Sequence, residues 1–194
     1  MTAQVGDRFI YGGDDYSIVA ISSPIQFAPS DYGIKPVPRC TACWNGYWCE
    51  YQISEEAIML KNLYINSEDG CYPEINGVSP EDRGGKNFLY MGHHLYKDLN
   101  IFIEYTGRIL VGKDFMREYY IHMGYQRAWA YKVLKELVFD KGKLVRSVDH
   151  SEMAGKLREE LKEIEKNPEG KQNISLFVQR SFSLKMEDKA WWIK

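Results

Sequence analysis

Four times along the chain, an apolar and aromatic run meets a short polar or glycine-rich turn and is followed by a second apolar run. Phe9-Ile10-Tyr11 and Tyr16 to Ile21 flank Gly12-Gly13-Asp14-Asp15, a turn of residues that tolerate positive φ. Tyr47 to Ile53 and Ile58 to Ile65 flank Ser54-Glu55-Glu56-Ala57. Ile101 to Tyr105 and Ile109 to Val111 are joined through Thr106-Gly107-Arg108, and Glu136 to Phe139 leads through Asp140 to Lys143 into Leu144-Val145. A hairpin fixes which strands are neighbours, so this pattern predicts antiparallel sheet before any other feature is consulted. The last three pairs share a loose form that could mark a degenerate internal repeat, although hairpins resemble one another in any case.

Between the hairpins lie irregular stretches. Ser22 to Arg39 holds Pro24, Pro29, Pro36 and Pro38 and must be mostly loop or edge. Ser67 to Lys86 is rich in glycine and proline, and a loop of that length without structure of its own is either functional or mobile. One helix is well signalled. Asp149 or Ser151 can cap it, Met153, Leu157, Leu161 and Ile164 recur at helical spacing, and Lys156 can pair with Glu160 before Asn167-Pro168 ends it. Residues 126–135 fit a helix with Trp129 and Val133 on one face, or a strand entering the fourth hairpin. Ile174 to Val178 reads as a C-terminal strand, and Ala190 to Ile193 brings two tryptophans that must dock on the sheet or stay exposed.

The chain therefore predicts a β-rich α+β fold: antiparallel sheet built from hairpins, with one amphipathic helix near residues 151–166. Its 194 residues suit a single domain, 1–194, able to bury roughly 70% of its unfolded surface without a staple. Two β-rich halves, 1–66 and 87–148, joined by the 67–86 loop, are the alternative division.

A net charge of −2 with acids and bases interspersed shows no sustained basic face, which argues against a nucleic-acid partner. No run approaches the ~18 apolar residues of a membrane helix. The segment Met1 to Phe9 lacks an apolar core of the secretory kind, so a cytoplasmic location is expected, with the cysteines as free thiols.

Three of the four cysteines fall between Cys40 and Tyr51, among Trp44, Tyr47, Trp48 and Tyr51. Cys40 and Cys43 have a metal-ligand spacing that Cys49, Cys71 or the histidines His93 and His94 could complete as a zinc site. Strand alternation argues otherwise. Tyr47, Cys49, Tyr51 and Ile53 share one face, with Glu50 and Gln52 on the other, which makes Cys49 an ordinary core thiol. A redox pair is also disfavoured, because Cys40-x-x-Cys43 does not open a helix that would lower a thiol pKa. No cofactor is expected.

Catalytic signatures are missing as well. The acidic pairs Asp14-Asp15, Glu55-Glu56, Glu68-Asp69 and Glu81-Asp82 all sit in predicted turns, where solvated acids are common. Gly84-Gly85-Lys86-Asn87 lacks the spacing of a phosphate loop, and there is no Gly-x-Ser-x-Gly elbow. The reading leans away from an enzyme.

What remains is aromatic surface. Trp44 and Trp48, with Tyr32 and Tyr72 in neighbouring loops, could form a patch that anchors a protein partner, and Trp48 is expected to be partly exposed. The leading expectation is a non-catalytic protein-binding or inhibitory module, with the general character of an immunity protein: soluble, mildly acidic and without catalytic motifs. The alternative is a small-ligand protein or enzyme with a site beneath the 67–86 loop, using His93 or His122 and an acidic turn residue. A zinc protein through Cys40 and Cys43 is the third reading. The sequence sets no oligomeric state.

Overall fold

The structure, a computed structural model, describes residues 2–84 and 92–166. Its strands are β1 (Arg8–Tyr11), β2 (Asp14–Ile21), β3 (Tyr47–Ser54), β4 (Ala57–Ile65), β5 (Glu81–Asp82), β6 (His94–Tyr96), β7 (Ile101–Phe102), β8 (Gly107–Phe115), β9 (Tyr131–Asp140) and β10 (Lys143–Asp149), followed by helix α1 (Ser151–Lys166). All ten strands join one mixed, mainly antiparallel sheet in the order β10-β9-β8-β2-β1-β3-β4-β6-β5, with β7 paired separately to β4. The path also returns on itself. β10 meets β4 at Lys143 and Ala57, where Ile58 N–H donates to the Gly142 carbonyl at 2.9 Å and Leu144 N–H to the Glu56 carbonyl at 2.8 Å. The strands from β10 round to β4 thus close into a ring through this one contact, beyond which β10 has no strand partner on that side among the described residues. The strands of 1–66 (β2-β1-β3-β4) and of 92–148 (β10-β9-β8) form two contiguous arcs of that ring, which meet at the pairs β2–β8 and β4–β10.

Three of the four sequence-predicted hairpins form. The turn residues Gly12 and Gly13 (φ 61° and 83°), Glu55 and Glu56 (49° and 64°), and Lys141 and Gly142 (47° and 81°) all hold the positive φ that a tight two-residue hairpin demands. The remaining prediction fails. Ile101-Phe102 pairs with Met59 and Leu60 of β4, not with β8, because β8 already has β2 along one edge and β9 along the other. The ambiguous stretch 126–135 is a 3-10 turn over Ala128–Ala130 and strand from Tyr131.

Barrel-facing side chains build the main core, including Phe9, Tyr51, Leu60, Val111, Leu137 and Phe139. On β4 the inward positions run Ile58, Leu60, then Leu63, Ile65, all fully buried. The change of phase comes from a bulge: Glu50 pairs with Asn62 and Tyr51 with Leu60, leaving Lys61 extra. Outside the barrel, α1 lays Ala154 on Leu110, Leu134 and Ala128. Ala154 is fully buried, while Met153, part of the expected apolar spacing, is 39% exposed. Arg158 secures the helix by donating to the carbonyls of Trp129 at 2.7 Å and Tyr131 at 3.0 Å. At the helix entry Asp149 Oδ1 accepts from Ser151 N–H at 2.8 Å, and Ser151 Oγ accepts from Leu134 N–H at 3.0 Å. Lys156 pairs with Glu152 at 2.6 Å. The predicted strand at 174–178 and the tryptophans at 191 and 192 lie outside the described residues.

One connection shapes an end of the barrel. β1 and β3 run parallel, so the chain must cross from the end of β2 to the start of β3 through residues 22–46. That proline-rich crossing passes over the end of the barrel where β1 and β3 begin and β2 ends.

Candidate functional site

The crossing leaves a cleft of about 500 Å³ at this barrel mouth. Its walls come from four stretches of chain: Gln4 to Asp7, Ile18 to Phe27, Cys43 to Tyr51, and Tyr125. Backbone bonds hold the rim, with Gln4 N–H donating to the Gly124 carbonyl and Val5 N–H to the Ala42 carbonyl, both at 2.8 Å. At the start of β3, Gly46 sits at φ 75°, and a Cβ there would lie 2.6–2.8 Å from the Val37 backbone. The close approach of these two stretches, possible only for glycine, fixes the wall carrying Cys43, Trp44 and Tyr47.

Asp7 lies on the cleft floor. It precedes β1 in phase with the inward Phe9, and its carbonyl accepts from Ile18 N–H at 2.8 Å. Its Oδ1 accepts from the Cys49 backbone N–H at 2.8 Å, and no described residue donates to Oδ2. Burial pushes its pKa from 3.8 up to about 6, a rise that the Cys49 bond only partly offsets. The carboxylate is still mostly ionised at neutral pH. The groups around it are acids that burial keeps protonated: Cys43 is pushed up to about 11 and Tyr47 to about 12, and Cys49, Tyr51 and Tyr125 are also raised. A thiol held protonated is a weak nucleophile, and the Cys43 thiol donates to the Tyr47 carbonyl at 3.3 Å. The arrangement is suited to holding a ligand by charge and aromatic contact.

The structure scatters the residues singled out in the sequence. Trp44 stands on the cleft wall and is 58% exposed. Tyr32 packs behind the same wall, its ring 5.8 Å from Phe27. Trp48 is a correction: it points away from the core as alternation predicted, yet is only 2% exposed. Tyr64 covers it at 4.2 Å and the Arg8 guanidinium lies 5.8 Å over its ring. Trp48 Nε1 finds no acceptor among the described residues, and its ring borders a smaller hollow of about 230 Å³ beside Arg8 and Gln126. Tyr72 is remote from the cleft, stacked at 3.6 Å on His94, whose pKa is lowered chiefly by burial.

His93 and His122 do not line the cleft. His93 N–H donates to Asn66 Oδ1 at 3.0 Å beside β6, while His122 meets Tyr120 edge-on at 5.1 Å. The stretch 67–84 packs inward: Ile75 is fully buried in the main core, and Tyr96 Oη donates to the Pro73 carbonyl at 2.7 Å. Cys40 and Cys43 are neighbours in one turn, with Cys43 N–H donating to the Cys40 carbonyl at 3.4 Å. Cys49 is in the core as expected, and Cys71 is exposed on the 67–84 stretch. Among the described residues no three His, Cys, Asp or Glu side chains gather to hold a metal ion.

Sequence reasoning missed Asp7, Gln4, Phe27 and Tyr125. The one available signal was that Asp7 shares the inward phase of Phe9, an unusual position for an acid. Comparison of the chain with known protein families, with characterised proteins and with solved structures finds no match, so the functional reading rests on this geometry.

Proposed function

We propose that this protein is a non-catalytic binding protein whose ligand is a small organic molecule held in the barrel-mouth cleft. One observation carries the reading: a cleft of about 500 Å³, largely apolar and aromatic, has a single ionised side chain on its floor. Ligand sites have this size and character, with a few polar groups to orient what the apolar walls bind. The raised pKa of Asp7 in a cleft adds to the case, since displaced pKa values cluster at functional sites. A metabolite screen by thermal shift tests it. A true ligand at about 100 times its Kd adds roughly 2.7 kcal/mol of stability, and filling the cleft by Ile18→Trp must abolish that gain. Stabilisation that survives Ile18→Trp would place the site elsewhere and overturn the reading.

A second reading has its own support. Trp44, Met123 and Tyr125 are 58%, 55% and 55% exposed, and Gln4 joins their two stretches by bonds to Gly124 and Trp44. Such a rim suits a protein partner, in keeping with an inhibitory module. Trp44→Ala and Tyr125→Ala would then weaken capture of a partner from native extract without lowering the melting temperature. Capture unchanged by both substitutions would remove this reading.

A further inference from the structure

We infer that the cleft selects a protonated amine with an apolar body, its ammonium group against Asp7 and its body against the aromatic wall. The inference rests on the binding reading above and adds the charge class of the ligand. Asp7 is the one side chain among the described lining residues that carries charge at neutral pH; no lysine, arginine or histidine joins it there. Its Oδ1 has the Cys49 N–H, while Oδ2 receives no donor from a described residue. A carboxylate partly withdrawn from water and held by one backbone donor is costly to keep ionised, and a cation is the partner that offsets the cost. Oδ2, to which no described residue donates, is open to an N–H donor from the ligand. A primary or secondary ammonium supplies both.

The walls favour the same class. Phe27, Trp44, Tyr47, Tyr51 and Tyr125 all face the cleft. Aromatic faces are electronegative, so they attract an organic cation and repel an anion. Titration follows directly. The groups facing Asp7 are Cys49, Tyr47 and Tyr51 of β3, Cys43 of the crossing, and Tyr125; β2 contributes only apolar side chains through Ile18 to Ile21. All of these acids stay neutral below pH 7, leaving Asp7 as the one that switches. Amine affinity is therefore steady between the Asp7 pKa of about 6 and the alkaline pH at which the amine itself deprotonates, and it falls as the pH drops through about 6.

Three probes of nearly one shape separate the possibilities: phenethylammonium, 2-phenylethanol and phenylacetate, titrated into the full chain and followed by amide NMR shifts. At about pH 7.5 the ammonium should bind at least about tenfold tighter than the alcohol, with the acetate weakest. The shifts should map to Asp7, Trp44 and Tyr125. Asp7→Asn keeps an acceptor for the Cys49 N–H, so it should fold, and it should erase the preference for ammonium over alcohol. Equal binding of ammonium and alcohol in the cleft would overturn the charge assignment while leaving the binding site standing. No cleft shifts with any of the three probes would overturn both.

Discussion

Asp7 is held in a state that folding makes unfavourable. Its pKa is about 6 in the fold against 3.8 as an ordinary aspartate, so the native state binds the proton more tightly than the unfolded chain does. Stability is therefore greatest below about pH 4 as far as this group is concerned, and is lost as the pH rises through about 6. The full shift corresponds to about 3 kcal/mol, and the carboxylate's partial access to water reduces that to about 1–2 kcal/mol. Asp7→Asn should raise stability by that amount at about pH 7.5 and by almost nothing at about pH 4. Thermal denaturation of both proteins across this range checks it; an equal effect at both ends would contradict it. Gly46→Ala should cost about 2–4 kcal/mol, from left-handed backbone strain and contact with Val37, read as a lower denaturant midpoint. Trp44→Ala should leave stability within about 0.5 kcal/mol, because the side chain is mostly exposed.

At the scale of elements, α1 is held to the barrel, among the described residues, by Ala154, by Ser151 Oγ accepting from Leu134 N–H, and by the Arg158 bonds to Trp129 and Tyr131. Arg158→Ala should cost about 1–2 kcal/mol and speed amide exchange throughout α1 while leaving β3 and β4 protected. Uniformly faster exchange in the barrel would show that the helix is part of its cooperative unit. The elements were also the most legible level in the sequence. Three hairpins and the helix follow from turn residues and periodicity, which act over a few positions. The pairing of Ile101-Phe102 with β4 does not, because it depends on a strand some forty residues earlier. Trp48 makes the same point. Alternation gave its direction correctly, but Tyr64 and Arg8, which cover it, come from other strands.

At the scale of the whole molecule, ring closure and the cleft are one consequence of the topology. The ring joins an arc from each half of the described chain at two seams, β2–β8 and β4–β10, so unfolding should be a single transition. Tryptophan fluorescence and far-ultraviolet circular dichroism should then give the same midpoint in urea; two separated midpoints would mean that 1–66 and 92–148 fold independently. The cleft was hidden in the sequence for the same reason. Its lining comes from four stretches brought together by the parallel β1–β3 pair and the 22–46 crossing, and no spacing of residues announces such a meeting.

The most direct measurement of the central claim is the titration of the Asp7 side-chain carboxyl by ¹³C NMR, with and without saturating phenethylammonium. The account predicts a pKa of about 6 in the free protein and a clear fall when the amine is bound, because the cation stabilises the ionised form. A free-protein pKa near the ordinary aspartate value, unchanged by the amine, would contradict it.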